Sequence, residues 1–256
     1  MKIWVLTKKS GILLAVGIFL LFCLLWLGKN DAVTVSGAKR DLPIYCVDKG
    51  EEKVVSISFD AAWGNEDTQQ LIDILGKYNV KATFFVVGEW VDKFPESVKA
   101  LSDAGHEVMN HSDTHPHMTK MEKEAVKAEI EACNQKIEQV TGKRPNLLRA
   151  PYGDYNDMVV QAARETGCYT IQWDVDSLDW KNLSAPEITK RVTEKIKPGS
   201  IVLFHNAALH TPEALPGILE KLQTDGYSIV PISQLIYYEN YTIDQAGKQC
   251  CQNSNT

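Results

Sequence analysis

The sequence predicts an α/β fold, a seven-stranded (β/α) barrel preceded by one N-terminal transmembrane helix. Three observations predict it: a lysine-flanked apolar run near the N-terminus, seven strand-like runs alternating with helical patterns, and polar residues recurring where those runs end. With 256 residues, 44% of them hydrophobic and 23% charged, the chain can bury one sizeable core, and two full domains would be cramped. The formal charge of -6 includes the basic N-terminal residues, so the remainder is more acidic still, which argues against a nucleic-acid partner.

Lys2, Lys8 and Lys9 precede an uncharged run from Gly11 to Gly28 rich in Leu, Ile and Phe. With no polar face and a lysine cluster beside it, the run reads as a membrane anchor through residues 11–28, within an anchor segment 1–29. Ser36 and Ala38 have the spacing of a cleavage site but lie well past the run, so the anchor is expected to stay uncleaved. The nearest flanking charges favour an inside N-terminus, which places the main domain outside the cell membrane. Residues 30–44 are polar and read as a linker, 45–240 as the folded domain, and 241–256 as a polar tail carrying Cys250 and Cys251. The six cysteines show neither a CxxC pair nor a dense disulfide framework.

Within the domain, strands are expected at 54–59, 82–87, 106–109, 147–149, 169–173, 200–205 and 227–230. Helices are expected between them at 68–78, 96–104, 123–140, 157–166, 186–195 and 212–225. Such alternation implies a parallel sheet, and at this length a barrel over an open sheet. Asp60, His111, Arg149, Asp174 and His205 each fall at or just past the end of a different run. In a barrel those ends share one face, and a site there accounts for polar groups that would otherwise be costly to bury. His111 and His115, four residues apart, can converge on a divalent metal as neutral imidazoles. His106, His117 and His210 have no such spacing and read as structural or solvated.

Five motifs are specific in combination: FDAAWG (Phe59 to Gly64), NHSDTH (Asn110 to His115), RAPYG (Arg149 to Gly153), DVDSLDW (Asp174 to Trp180) and LFH (Leu203 to His205). In this order, over roughly residues 50 to 235, they resemble the polysaccharide deacetylase family, the NodB homology domain of carbohydrate esterases. The FDAAWG form is most similar to its sporulation-associated, PdaB-like branch. The resemblance implies a distorted seven-stranded (β/α) barrel. It also implies a hydrolase that removes N-acetyl groups from amino sugars of a cell-wall polysaccharide, peptidoglycan. It implies Asp60 as general base, Arg149 as the partner that keeps it ionised, His205 as general acid and Asp179 as the partner of His205. Tyr152 would supply an oxyanion N–H, since Pro151 has none. Pro151, Trp180 and Leu203 would line the substrate pocket, although Trp180 and Leu203 are equally readable as core.

The resemblance further implies a zinc or cobalt ion held by His111, His115 and a second aspartate directly after Asp60. This sequence has Ala61 there. A catalytic zinc takes three protein ligands and a water, so the loss weakens binding and leaves the water less acidified. Asp113 or Asp176 could substitute, the site could work with little or no metal, or the chain could be a glycan-binding relative without catalysis.

Overall fold

A computed structural model of the protein describes residues 40–252. The expected anchor, most of the expected linker and residues 253–256 lie outside the described residues. Among the described residues no helix is long and apolar enough to cross a membrane.

The strands are β1 (Cys46–Val47), β2 (Val54–Ala61), β3 (Thr83–Val86), β4 (Glu107–Asn110), β5 (Leu147–Leu148), β6 (Tyr169–Thr170), β7 (Val175–Asp176), β8 (Ile201–His205), β9 (Ser228–Ile229), β10 (Tyr241–Ile243) and β11 (Lys248–Cys251). Seven pair in parallel in the order β6-β5-β4-β3-β2-β8-β7, a curled half-barrel. The α/β class and the seven parallel strands agree with expectation. Closure does not, because the edge strands β6 and β7 do not pair with each other. Instead Ile44 reaches β6, donating its N–H to the Thr170 carbonyl (2.9 Å) and accepting from Gln172 (2.8 Å). Three residues on, Val47 donates to Gly199 (2.9 Å), just before β8.

The strand expected at 227–230 is β9, which pairs with the start of β2 rather than extending the curl. The seventh strand of the curl is β7, too short to leave a period-2 pattern. The stretch set apart as a polar tail also behaves differently: β10 and β11 join β1 in a small sheet, with Cys250 in register with Thr242. Each expected helix forms within one or two residues of its expected bounds, and two short ones, at Gly88–Lys93 and at Ile232–Leu235, are additional.

Alternation along β2 explains how the layers fill. Val55, Ile57, Phe59 and Ala61 pack into the main apolar cluster with the helices. Ser56 and Ser58 take the other face and donate their hydroxyls to the carbonyls of Val230 and Val202, each at 2.7 Å, so two small polar residues are buried without an orphaned donor. A second cluster, including Ile44, Phe85, Leu147, Ile171 and Ile201, is closed by Ile232, Leu235 and Ile236 of the C-terminal helical turn. Above Phe85 the filling becomes polar, and there the site begins.

Candidate active site

Arg149 follows β5 directly and is fully buried, its guanidinium 4.2 Å over the Phe85 ring and 5.6 Å from that of Trp173. A buried cation requires a counterion and hydrogen bonds. Nη1 donates to Asp60 Oδ1 (2.7 Å), while Nη2 donates to Ser58 Oγ (2.9 Å) and the Gln172 carbonyl (3.2 Å). Ser58 is therefore small for a reason: a larger side chain would fill the space of the guanidinium. Burial pushes the Asp60 carboxyl up, but Arg149, His111 and His205 outweigh it and hold it below the usual carboxylate range.

His111, just past β4, is also buried. Its Nδ1 lies 2.7 Å from the Arg149 carbonyl, which can only accept, so Nδ1 carries the hydrogen and Nε2 the lone pair. That Nε2 is 3.6 Å from Asp60 Oδ2. Burial keeps the ring neutral and lowers His115 to about 4, the latter with help from His111. The two rings meet edge to face at 5.0 Å.

His205 ends β8. Its Nδ1 donates to Asp179 Oδ1 (2.8 Å) and its backbone N–H to Oδ2 (2.8 Å). Asp179 also accepts from Trp180 N–H (2.9 Å) and the buried Thr211 hydroxyl (2.7 Å), so both oxygens are saturated. Burial pulls the His205 imidazole down, but Asp179, Asp60 and Asp176 outweigh it, and the net shift is upward.

These groups meet in one cavity of about 530 Å³. Its walls include Asp60, His111, His115, Tyr152, Trp180, Leu203 and His205 from the sequence-based set, together with Ala62, Trp63, Gly153, Trp173 and Asp176. Asp179 sits behind His205 and Arg149 beneath Asp60. Pro151, expected in the pocket, is buried in the turn below and is not part of the wall. Asp174 is also displaced from expectation. It accepts from Ser200 Oγ (2.9 Å) and Ile201 N–H (2.8 Å), at the opposite end of β8 from His205.

Five of the eight non-glycine residues with positive φ among the described residues lie in the loops around this cavity: Ser112, His115, Tyr152, Leu178 and Ala207. Such backbone persists only where surroundings enforce it, and it gathers at functional sites. Tyr152, at φ 61°, is left out of its own turn's hydrogen bonds, which run from Gly153 to Ala150 and from Asp154 to Pro151.

The donor set for a metal is incomplete. His111 and His115 offer two nitrogens, but Ala61 is buried in the apolar cluster. Asp113 is held by Lys136 (2.7 Å), and Asp176 Oδ1 accepts from Leu178 N–H (2.8 Å). Among the described residues no group of three His, Cys, Asp or Glu is placed to hold an ion. The residues do not fit a resident three-ligand metal.

Comparison with known proteins matches this architecture. The polysaccharide deacetylase family model covers residues 48–171. The peptidoglycan-N-acetylmuramic acid deacetylase PdaA of Bacillus subtilis is 32% identical over 73% of this chain and 73% of its own length. The chain belongs to the polysaccharide deacetylase family. A peptidoglycan-N-acetylglucosamine deacetylase of Bacillus cereus is 33% identical over 71% of this chain and 67% of that protein. The chain spans 60% of the length of a third relative, YlxY of Bacillus subtilis, at 33% identity. Among solved structures, BA3943 of Bacillus anthracis, described as a CE4 family pseudoenzyme, superposes with a TM-score of 0.73 at 37% identity, covering 75% of this chain and 68% of that one. The relatives thus include both named deacetylases and a protein described as a pseudoenzyme.

Trp63, Thr211 and Asn206 contribute to the site and were not singled out from sequence. Trp63 lies in FDAAWG, where its motif is the one local signal for it. Thr211 and Asn206 became visible only once β8 and the loop after it were folded against β2.

Proposed function

We propose that this chain is a hydrolase that removes N-acetyl groups from amino sugars of peptidoglycan. The observation that carries the reading is the pairing of Asp60–Arg149 and His205–Asp179 across one cavity, two titratable groups shifted in opposite directions by their partners.

With its carboxyl held ionised, Asp60 takes a proton from water, and the oxygen adds to the acetyl carbon. The carbonyl oxygen becomes an oxyanion and accepts the Tyr152 N–H. Protonated His205, with Asp179 on Nδ1, gives its proton to the amide nitrogen as the C–N bond breaks. Acetate and a free amine result, and Leu203 and Trp180 enclose the acetyl methyl. No step passes through a metal, since the residues present do not complete a site for one.

Sporulation and an extracytoplasmic location with a membrane anchor at residues 11–28 belong to the same proposal. They rest on the FDAAWG form and on the apolar run; fractionation of the full chain with its membrane tests the latter.

The deciding experiment is acetate release from peptidoglycan by the full chain, with EDTA and with added zinc or cobalt. Release insensitive to EDTA supports the mechanism as written. Release that requires metal keeps the activity and overturns the metal-free route. No release from folded protein favours the second reading, a glycan-binding relative without turnover. Ala61 is the observation behind that alternative.

A further inference from the structure

Two buried oxygens behind the site have no donor. Asp67 is 8% exposed and Asn206 2%, and among the described residues neither Asp67 Oδ1 nor Asn206 Oδ1 has a hydrogen-bond partner. Buried acceptors are seldom left this way, and two on adjoining loops call for a common cause.

The Asn206 amide cannot be turned over to relieve its own oxygen. Its Nδ2 donates to the carbonyls of Trp63 (2.6 Å) and Gly64 (2.9 Å), which can only accept. Asp67 is equally constrained. It stands just before the helix Thr68–Lys77, where a carboxylate ordinarily accepts helix N–H groups, but its side chain makes no such bond. Oδ2 instead accepts the N–H of Ala207 (2.9 Å), the residue that follows Asn206.

An ionised Asp67 would be a buried charge without a counterion, which is costly. The charged groups that bear on it, Glu66 beside it and Asp179 behind His205, are both negative. The cations of the surrounding elements are engaged elsewhere: Lys93 acts on Glu66, His205 is bonded to Asp179, and His210 pairs with Glu213. Burial pushes the Asp67 carboxyl up against the pull of the Ala207 N–H, and Glu66 and Asp179 add to the rise. A proton on Oδ1 removes the charge and supplies the missing donor at once.

We infer that Asp67 is a neutral carboxylic acid in the folded protein at neutral pH, and that its Oδ1–H donates to Asn206 Oδ1. The contact ties the loop after Asp60 to the loop after His205, alongside the bond from Asn206 N–H to the Asp60 carbonyl (3.0 Å). Asp67 is thereby a positioning residue that holds the two loops at one spacing. That role rests on the reading of Asp60 and His205 as base and acid, but the contact itself does not.

The test is made on the full chain without substrate, so that its failure is separate from a failure of turnover. At neutral pH the infrared carbonyl band of a protonated carboxylic acid should be present in wild type and lost in Asp67→Asn. Asp67→Asn should still keep its unfolding equilibrium constant within about threefold of wild type, because its amide donates to Asn206 while its oxygen retains the Ala207 N–H. Asp67→Ala supplies neither group and should raise that constant roughly tenfold. The pH dependence has a definite sign. Asp67 is raised above its ordinary 3.8, so its contribution is full below that value and is lost as pH rises through the raised one. Wild type should therefore lose stability relative to Asp67→Asn on the alkaline side. The His205 ring, followed by NMR, should titrate at lower pH in Asp67→Ala, as its loop loosens from Asp179, and return in Asp67→Asn. Absence of the acid band, an asparagine variant as damaged as the alanine one, or a His205 titration unmoved in Asp67→Ala would overturn the inference. So would added calcium that raises the Tm of wild type but not of Asp67→Asn, since the two oxygens would then belong to a cation.

Discussion

His205 and His111 stand at the same cavity and differ in how completely they are supported. Around His205, Asp179 accepts four hydrogen bonds and leaves no oxygen free, which fixes the ring and raises its affinity for a proton. His111 and His115 are neutral and positioned, yet the residue after Asp60 is a buried methyl rather than a carboxylate. Proton transfer at nitrogen can therefore survive where metal binding is weakened, because the two depend on different donors.

The sharpest way to break the comparison is at Asp60, which serves both halves. Asp60→Asn should lower acetate release by roughly a thousandfold if it acts as general base. It also strands a buried guanidinium, so denaturant unfolding should show a stability loss of about 3–5 kcal/mol. Wild-type turnover would remove Asp60 from the chemistry.

Asp179→Asn should affect only the His205 half, with roughly a hundredfold loss of turnover. The sign of its pH effect follows from linkage. His205 is raised above its ordinary 6.5, so its contribution to stability is full below that value and is lost as pH rises through the raised one. Removing the carboxylate should move the alkaline limb of the activity profile to lower pH. An unmoved limb would mean that another group supplies the proton.

In the other half, Ala61→Asp should tighten zinc binding about tenfold or more by calorimetry, since outer and inner ligands each carry that weight. Without metal it should cost about 1–3 kcal/mol, the penalty for burying a polar group among apolar ones. No gain in affinity would mean that the two halves differ by more than one missing donor. Smallest is Thr211→Val, which removes one hydrogen bond from Asp179 and should cost about 1 kcal/mol with a few-fold loss of activity.

Much of this was readable from local pattern. Asp60, His111, Arg149 and His205 follow apolar runs whose ends the topology brings together, and helix periodicity located every long helix. Pattern failed where pairing is decided at a distance. Tyr169 to Trp173 reads as one strand ending in Asp174, but the ladder stops at Thr170. The chain then turns, so that Val175 and Asp176 pair with β8 and Asp174 is left at its start. Pro151 follows Arg149 in a motif, yet the turn at positive φ presents Tyr152 and Gly153 to the cavity in its place. The polarity of 241–251 suggested a free tail because nothing local shows that β11 will find β1.

That last pairing makes the seam of the curl dependent on both ends of the domain. Residues 44–47 fasten β6 to the turn before β8, and β11 lies against them in turn. A protein trimmed to begin at residue 48, where the family match begins, would lose this fastening while keeping every group that lines the cavity. Its β6 edge would then offer unpaired N–H and C=O groups to other copies of itself, and solubility would fail before chemistry.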